Sequence, residues 1–322
     1  MQIRHLGPHR VGAIGFGAMS IGGAFGVTDE ATGHAALDAA WDAGMTHFDV
    51  ANIYGMGVAE EVIGSWLRLR GHRPVIATKA GIVPGPPRAV NNSAAYLRGE
   101  LEASLRRLGR DHVDLFYIHR REQDRPLEEV IETISRLIEE GKIGGYGLSE
   151  VAPSTLRLAH EMLPCMAVQN EYSLWTRLPE LGLIRSCAEL GVTFVPFSPL
   201  ARGMLGDVPL APPQDGFRSR NPRFTGQNFT RNQAQVAAFR SFCHSRGWTT
   251  SATALAWVLA QGDHLLPIPG TRFAGNLREW LGAETIRFTP EDLAEIDRLL
   301  PPGWAYGDRY GDDQLIGVER YC

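Results

Sequence analysis

Short apolar runs alternate along this chain with longer segments whose apolar positions recur every three or four residues. The runs THFDVA, PVIATKA, VDLFYIH, KIGGYGLS, MAVQNEY, VTFVPFSPL and HLLPIPG predict buried β-strands. Between them, DEATGHAALDAAWDAG, VAEEVIGSWLRLRG, SAAYLRGELEASLRRLG, PLEEVIETISRLIEEG, APSTLRLAHEML, LPELGLIRSCAELG, SATALAWVLAQG and AGNLREWLGA predict helices. Punctuation supports the pattern: Asp29 or Thr28 caps the first helix, Gly44 stops it, Ser93 caps the third, and a proline opens the fourth. The start, IRHLGPHRVGAIGFGAM, predicts a short hairpin leading into a first strand.

This βα step recurs about eight times at spacings of roughly 25–50 residues, which predicts an α/β fold of the (β/α)8, or TIM-barrel, class. A doubly wound open sheet is the competitor, and it would need a Gly-rich first turn for a dinucleotide. Here GAIGFGAMS offers Gly15 and Gly17 but Ser20 in place of the third glycine. Two stretches interrupt the rhythm. The first, residues 201–232 after the seventh strand, is rich in Pro, Gly and Arg and reads as a lid-like loop. The second is the tail after the last helix, PEDLAEIDRLL; its Trp304, Tyr306 and Tyr310 predict docking on the body. No linker is visible, so residues 1–322 are expected to form a single barrel domain.

Composition narrows the function. Of 322 residues, 44% are hydrophobic and 21% charged, as in an ordinary globular protein. A net charge of −4 gives no reason to expect nucleic acid or an anionic membrane as partner. No apolar run is long enough to span a bilayer, and the first residues lack a signal-peptide core. Cys165, Cys187, Cys243 and Cys322 are scattered, which suits reduced thiols in a cytoplasm better than disulfides or a metal site.

Asp49, Lys79 and His119 each lie at the end of a predicted strand, and Tyr54 lies just past the first. Strand ends of a parallel barrel meet on one face, so these four residues can share a pocket. Together they suggest proton transfer with the tyrosine as acid. A free phenol has pKa about 10, and a cation about 4 Å away favours the phenolate by up to roughly 4 kcal/mol before desolvation is subtracted. Lys79 would supply that cation and Asp49 would hold it. The Asp111, His112, Asp114 cluster straddles a strand start, at the opposite end of such a barrel, and is read as structural.

The chain resembles the aldo-keto reductase family nearly end to end, through GFGAMS, FDVANIYGMGVAEEVIG, VIATKAG, VDLFYIHR, EEGKIGGYGLSE, VQNEYS, FVPFSPLARGML and LPIPGTR in order. The resemblance implies an NAD(P)H-dependent oxidoreductase acting on a small carbonyl or alcohol substrate without metal. It implies Asp49, Tyr54, Lys79 and His119 as the catalytic set, with His119 orienting the carbonyl. Phe197 would stack on the nicotinamide, Ser149 and Gln169 would bond its carboxamide, and Gly17 and Met19 would border the ring or substrate. Ser198, Pro199, Leu200, Arg202 and Gly203 would fold over the pyrophosphate. Ile268, Gly270, Thr271 and Arg272 would bind the adenosine end. Asn276 and Trp280 stand where the family commonly has an arginine and an asparagine, while Glu279 is kept. NADPH is therefore expected, with NADH possible. Glu150 also replaces the asparagine often found after the serine of GLS. A cofactor-binding regulatory subunit with slow turnover is the alternative. Ile82, Trp175 and Trp304 are expected in the substrate pocket, and the arginines of the long loop, Arg202, Arg218, Arg220, Arg223 and Arg231, are candidates for phosphate contacts. The sequence does not indicate an oligomeric state.

Overall fold

The structure, a computed structural model, describes residues 1–321, so Cys322 lies outside the described residues. Its strands are β1 (Ile3–Leu6), β2 (His9–Gly12), β3 (Phe16–Gly17), β4 (His47–Asp49), β5 (Val75–Ala80), β6 (Ile82–Val83), β7 (Ala89–Val90), β8 (Leu115–Ile118), β9 (Tyr146–Ser149), β10 (Ala167–Gln169) and β11 (Thr193–Phe194). The helices are α1 (Glu30–Asp42), α2 (Val58–Arg70), α3 (Ala94–Leu108), α4 (Leu127–Glu139), α5 (Pro153–Met162), α6 (Leu183–Leu190), α7 (Gly216–Ser219), α8 (Gly226–Ser245), α9 (Thr250–Leu259) and α10 (Pro290–Leu299).

Seven strands run parallel in the order β11-β10-β9-β8-β5-β4-β3. Residues 265–269 close the ring. Leu265 and Ile268 bridge to Phe194 and Phe197. On the other side, Gly15 and Gly17 donate their N–H groups to the carbonyls of Pro267 and Pro269, each at 2.9 Å. The prolines have no N–H to return, so the ladder runs one way and this eighth segment is not a regular strand. The closed (β/α)8 barrel follows.

Alternation within the strands decides which face each residue serves. Ala77, Leu115, Tyr117, Ala167, Val195, Leu266 and Ile268 pack together inside the barrel. Their neighbours Ile76, Phe116, Ile118, Leu148, Val168 and Phe194 belong to the larger core with the helices. Leu6 and Val11 of the β1–β2 hairpin join the inner cluster and plug the barrel. Gly147 points inward beside Tyr117, where a Cβ would stand 2.4 Å from the ring.

Local chemistry explains the helix ends. The Asp29 side chain accepts from Thr32 N and the Ser93 side chain from Tyr96 N, while Thr289 and Asp292 form a capping box at α10. Gly71 and Gly109 end α2 and α3 in the left-handed conformation. Along α4, Leu127, Val130, Ile131, Ile134 and Leu137 form one buried stripe.

Some elements differ from expectation. LPELGLIRSCAELG is a 3₁₀ turn and then α6, broken at Gly182 with φ 136°. VTFVPFSPL is paired as a strand only at Thr193–Phe194; Pro196 removes a ladder donor, and the chain turns at Ser198 with φ 52°. AGNLREWLGA is a 3₁₀ segment, Ala274–Glu279, rather than an α-helix; the Asn276 side chain donates back to Thr271 Oγ1 at 3.1 Å. Residues 201–232 are not all loop, because α7 and the start of α8 lie within them. The sequence pattern does not reveal α8, because two of its buried positions are polar. Asn232 donates to the carbonyls of Arg223 and Tyr306, each at 3.0 Å, and Arg240 donates to those of Gly206 and Met204.

Candidate active site

The last inward positions of the strands converge at the C-terminal end of the barrel. Asp49 ends β4, Lys79 lies near the end of β5, and His119 follows β8. Ser149 and Gln169 end β9 and β10. Lys79 is fully buried; its Nζ pairs with Asp49 Oδ1 and donates to the Val50 carbonyl at 2.8 Å. Gln169 donates to the other Asp49 oxygen at 2.8 Å. Tyr54 is held over this pair, with Lys79 Nζ 5.0 Å from its ring centroid. The Tyr54 and His119 rings meet edge-on at 6.0 Å and 79°. Gly22 lets the loop after β3 pass behind Tyr54, since a Cβ there would stand 2.6 Å from the Tyr54 carbonyl carbon.

Burial raises the Tyr54 phenol above its ordinary pKa, and Lys79 is the largest influence pulling it down. Lys79 therefore does not make Tyr54 acidic at rest. It offers a cation to the phenolate once the proton has left. His119 is held well below its ordinary pKa, first by burial and then by Arg120, Lys79 and Arg88. It is neutral, and its Nδ1 has no hydrogen-bond partner among the described residues.

Two connected spaces open here. A groove of about 430 Å³ is lined by Gly17, Met19, Asp49, Tyr54, Gln169 and Phe197, then by Ser198, Pro199, Leu200, Arg202 and Gly203, and finally by Ile268, Gly270, Thr271, Arg272, Asn276, Glu279 and Trp280. A smaller cavity of about 90 Å³ is lined by Ile82, Arg88, His119, Arg120, Ser149 and Tyr310, among others. Tyr54 borders both. Ser149 thus faces the cavity rather than the groove, and Lys79 lies behind Asp49 and Tyr54.

The groove wall is strained. Ser198, Ala201 and Arg202 all have positive φ, between 51° and 56°, which non-glycine residues rarely adopt. Arg202 is held there by Glu171 at 3.0 Å and by donation to the Arg309 carbonyl at 2.7 Å. Gly17 and Gly270 allow a close crossing, where a Cβ on Gly270 would stand 2.1 Å from Gly17 O. The long loop reaches across to the loop after β3: Phe217 N donates to Ala24 O at 3.3 Å, and the Phe25 and Phe217 rings meet at 5.8 Å.

Several expected contacts are corrected. Trp175 and Trp304 do not line the cavity; they pack edge-on against each other, and Trp304 Nε1 donates to Leu174 O at 2.7 Å. Of the long-loop arginines only Arg202 and Arg218 line the groove. Arg223 is buried against Trp175, and Arg231 stacks on Tyr306. Glu150 is buried and forms an ion pair with Arg309 of the tail, which explains why a charged residue is tolerated there. Sequence reasoning also missed residues of both spaces. Phe25, Asp207 and Ser251 line the groove, and Phe25 and Asp207 carried no sequence signal. Arg120 stood beside His119 in VDLFYIHR, and Arg88 lay in a Pro-rich turn with no motif.

The groove suits a dinucleotide. It is elongated, has apolar Phe197 beside Tyr54, and carries Arg218 and Arg272, neither of which pairs with a carboxylate among the described residues. Arg272 Nε has no hydrogen-bond partner among them. No group of histidine, cysteine, aspartate and glutamate among the described residues could hold a metal ion.

Comparison with known proteins agrees with this geometry. The model of the Aldo/keto reductase family matches residues 13–301. The chain is 36% identical over 318 residues to the aldo-keto reductase yakc [NADP(+)] of Schizosaccharomyces pombe, covering 95% of this chain and 94% of that one. It superposes on a glycerol dehydrogenase of Gluconobacter oxydans with TM-score 0.83 at 26% identity, covering 96% and 98% of the two chains. An aldo/keto reductase of Klebsiella pneumoniae, solved with NADP and acetate, gives 0.76 at 28% identity, covering 96% and 98%. The chain belongs to the aldo/keto reductase family.

Proposed function

We propose that this oxidoreductase reduces an aldehyde or ketone to an alcohol with NADPH, and that Tyr54 gives the proton. The observation that carries the reading is the position of Tyr54. It stands where the groove and the smaller cavity meet, with Lys79 at 5.0 Å from its ring and neutral His119 edge-on beside it. The S. pombe relative is named for NADP(+), the K. pneumoniae enzyme was solved in complex with NADP, and the groove fits that cofactor here.

NADPH held in the groove would supply a hydride from its nicotinamide. The chain's own residues do the rest. His119, neutral and lining the cavity, bonds the carbonyl oxygen and orients it. Tyr54 donates its proton to that oxygen. The phenolate left behind is stabilised by the Lys79 ammonium, which Asp49 and Val50 O hold in place. In the oxidative direction the same phenolate takes the proton back.

Residues 1–322 act in this scheme as one catalytic unit. Cys165, Cys187 and Cys243 are buried free thiols, which favours a reducing cytoplasm. No helix among the described residues is long and apolar enough to cross a membrane. Titrating NADPH and NADH while following cofactor fluorescence, then adding 4-nitrobenzaldehyde, tests the reading. Binding with turnover is expected. Binding without turnover of any carbonyl would instead favour a cofactor-binding regulatory subunit.

A further inference from the structure

The cavity beside Tyr54 has a marked charge imbalance. Arg88, Arg120 and Arg202 line it, and no aspartate or glutamate does. Arg202 is neutralised by Glu171. Arg120 hydrogen-bonds only uncharged acceptors, the His119 carbonyl at 2.6 Å, Ser149 Oγ at 3.1 Å and Tyr310 OH at 3.4 Å, and buried Glu150, already paired with Arg309, attracts it without contact. Arg88 makes no hydrogen bond and no ion pair among the described residues, although it is half-buried. Burial and Arg120 both work against its charge, and Asp313 attracts it only from a distance. An arginine in this setting gains from an anion, because partial burial takes water from its guanidinium and no carboxylate contacts it in return.

The cofactor does not account for that anion. Neither Arg88 nor Arg120 lines the long groove, where Arg218 and Arg272 stand. The two cations therefore belong to the space that opens on His119. Apolar walls from Ile82 and Phe217 border the same cavity. The arrangement offers a carbonyl end at Tyr54 and His119, a short apolar body, and a cationic end.

Resting on the carbonyl-reductase reading, we infer that the natural substrate is a short oxo-acid. Its carboxylate is taken by Arg88 with Arg120 beside it, while its aldehyde or ketone meets Tyr54 and His119. The planar guanidinium of Arg88 can bond both oxygens of a carboxylate, which lysine cannot match. This contact is made equally before and during reaction, so it acts on KM more than on kcat.

The test compares 4-oxobutanoate with its methyl ester, using NADPH and the full chain. Wild type should prefer the acid in kcat/KM by roughly 10–100-fold, the range for a hydrogen bond to a charged group. In Arg88→Met the acid-to-ester ratio should fall by about the same factor, chiefly through KM, and Arg88→Lys should recover part of it. A merely structural role for Arg88 would lower both substrates together and leave the ratio unmoved. An unchanged ratio in Arg88→Met, or a wild type that prefers the ester, overturns the inference. Turnover of 4-nitrobenzaldehyde by wild type separates this failure from failure of the reductase reading. If no carbonyl is reduced, binding of succinate to the NADP⁺-saturated protein, followed by calorimetry, still decides. Succinate binding that Arg88→Met abolishes supports the anion site, and its absence in wild type removes it.

Discussion

Lys79 and Asp49, on adjacent parallel strands, form an ion pair with side-chain exposures of 0% and 2% directly behind the Tyr54 ring. Because the pair excludes water, the lysine charge acts on Tyr54 with little screening. Lys79→Met should lower kcat by about 10²-fold or more, in the range of lost acid–base catalysis. It should also move the pH profile of the residual activity to higher pH, since the phenolate loses its cation. An unmoved profile would separate Lys79 from the proton transfer.

Tyr54→Phe keeps the ring and removes the acid. Turnover should fall about 10²–10⁴-fold. Cofactor affinity should change little, because the hydroxyl is only one element of a long groove. Activity within about threefold of wild type would take Tyr54 out of the mechanism.

Cofactor choice should depend on Arg272. Its Nη1 donates to Phe25 O and its guanidinium lies 4.5 Å from the Phe273 ring centroid, leaving Nε unpartnered among the described residues. Arg272→Ala should lower the NADPH-to-NADH ratio of kcat/KM by about tenfold, as expected for loss of a charged hydrogen bond. Asn276→Arg should raise it. Paired kinetics with both cofactors check both variants. A ratio indifferent to Arg272 would remove the adenosine-end assignment and leave the tetrad standing.

Arg309 ties the tail to two buried carboxylates. It pairs with Glu150 and lies 3.4 Å from Glu171. Burial alone would raise the Glu150 carboxyl, but Arg309 and Arg120 outweigh it and hold it low. Arg309→Met strands these charges and should destabilise the fold by about 3–5 kcal/mol. The double variant with Glu150→Gln should cost less than the sum of the single changes. Denaturant unfolding of all four proteins gives the coupling, and strict additivity would contradict the network.

Acid should destabilise the protein through histidines kept neutral by folding. His47 is completely buried, with Nδ1 3.3 Å from Val75 O and Nε2 unpartnered among the described residues. Burial lowers its pKa below the ordinary 6.5. His119 and His264 are lowered for the same leading reason. Between the lowered values and 6.5 the unfolded chain binds more protons than the folded one, so stability falls as pH drops through that window. Thermal melts from pH 8 to pH 5 should show a declining Tm below about pH 6.5. His47→Gln should flatten that decline, and an equally steep decline would exclude His47 as a contributor.

The sequence by itself carried the βα rhythm, the helix caps at Asp29 and Ser93, and the strand-end placement of Asp49, Lys79 and His119. Each is a local signal: alternation fixes a strand face, and a cap is a bond between near neighbours. The N-terminal hairpin was also legible, because Gly7 and Pro8 separate two short strand-like runs, whereas its packing into the barrel as a plug was not. Tertiary structure decided the rest. Polar residues that bond distant carbonyls, such as Asn232 and Arg240, sit where a helix would normally show apolar positions, so α8 left no stripe to read. HLLPIPG reads as a strand, but Pro267 and Pro269 have no N–H to offer, and on that side their carbonyls close the barrel by accepting from Gly15 and Gly17. Trp175 and Trp304 looked like pocket aromatics but pack edge-on against each other, with Arg223 over the Trp175 ring. The pairing of Glu150 with Arg309 joins residues 159 apart in sequence, and no local pattern anticipates it. The same holds for Arg88, whose meaning comes from what does not surround it: charge balance in a cavity is a property of side chains brought together by folding, and it is visible only there.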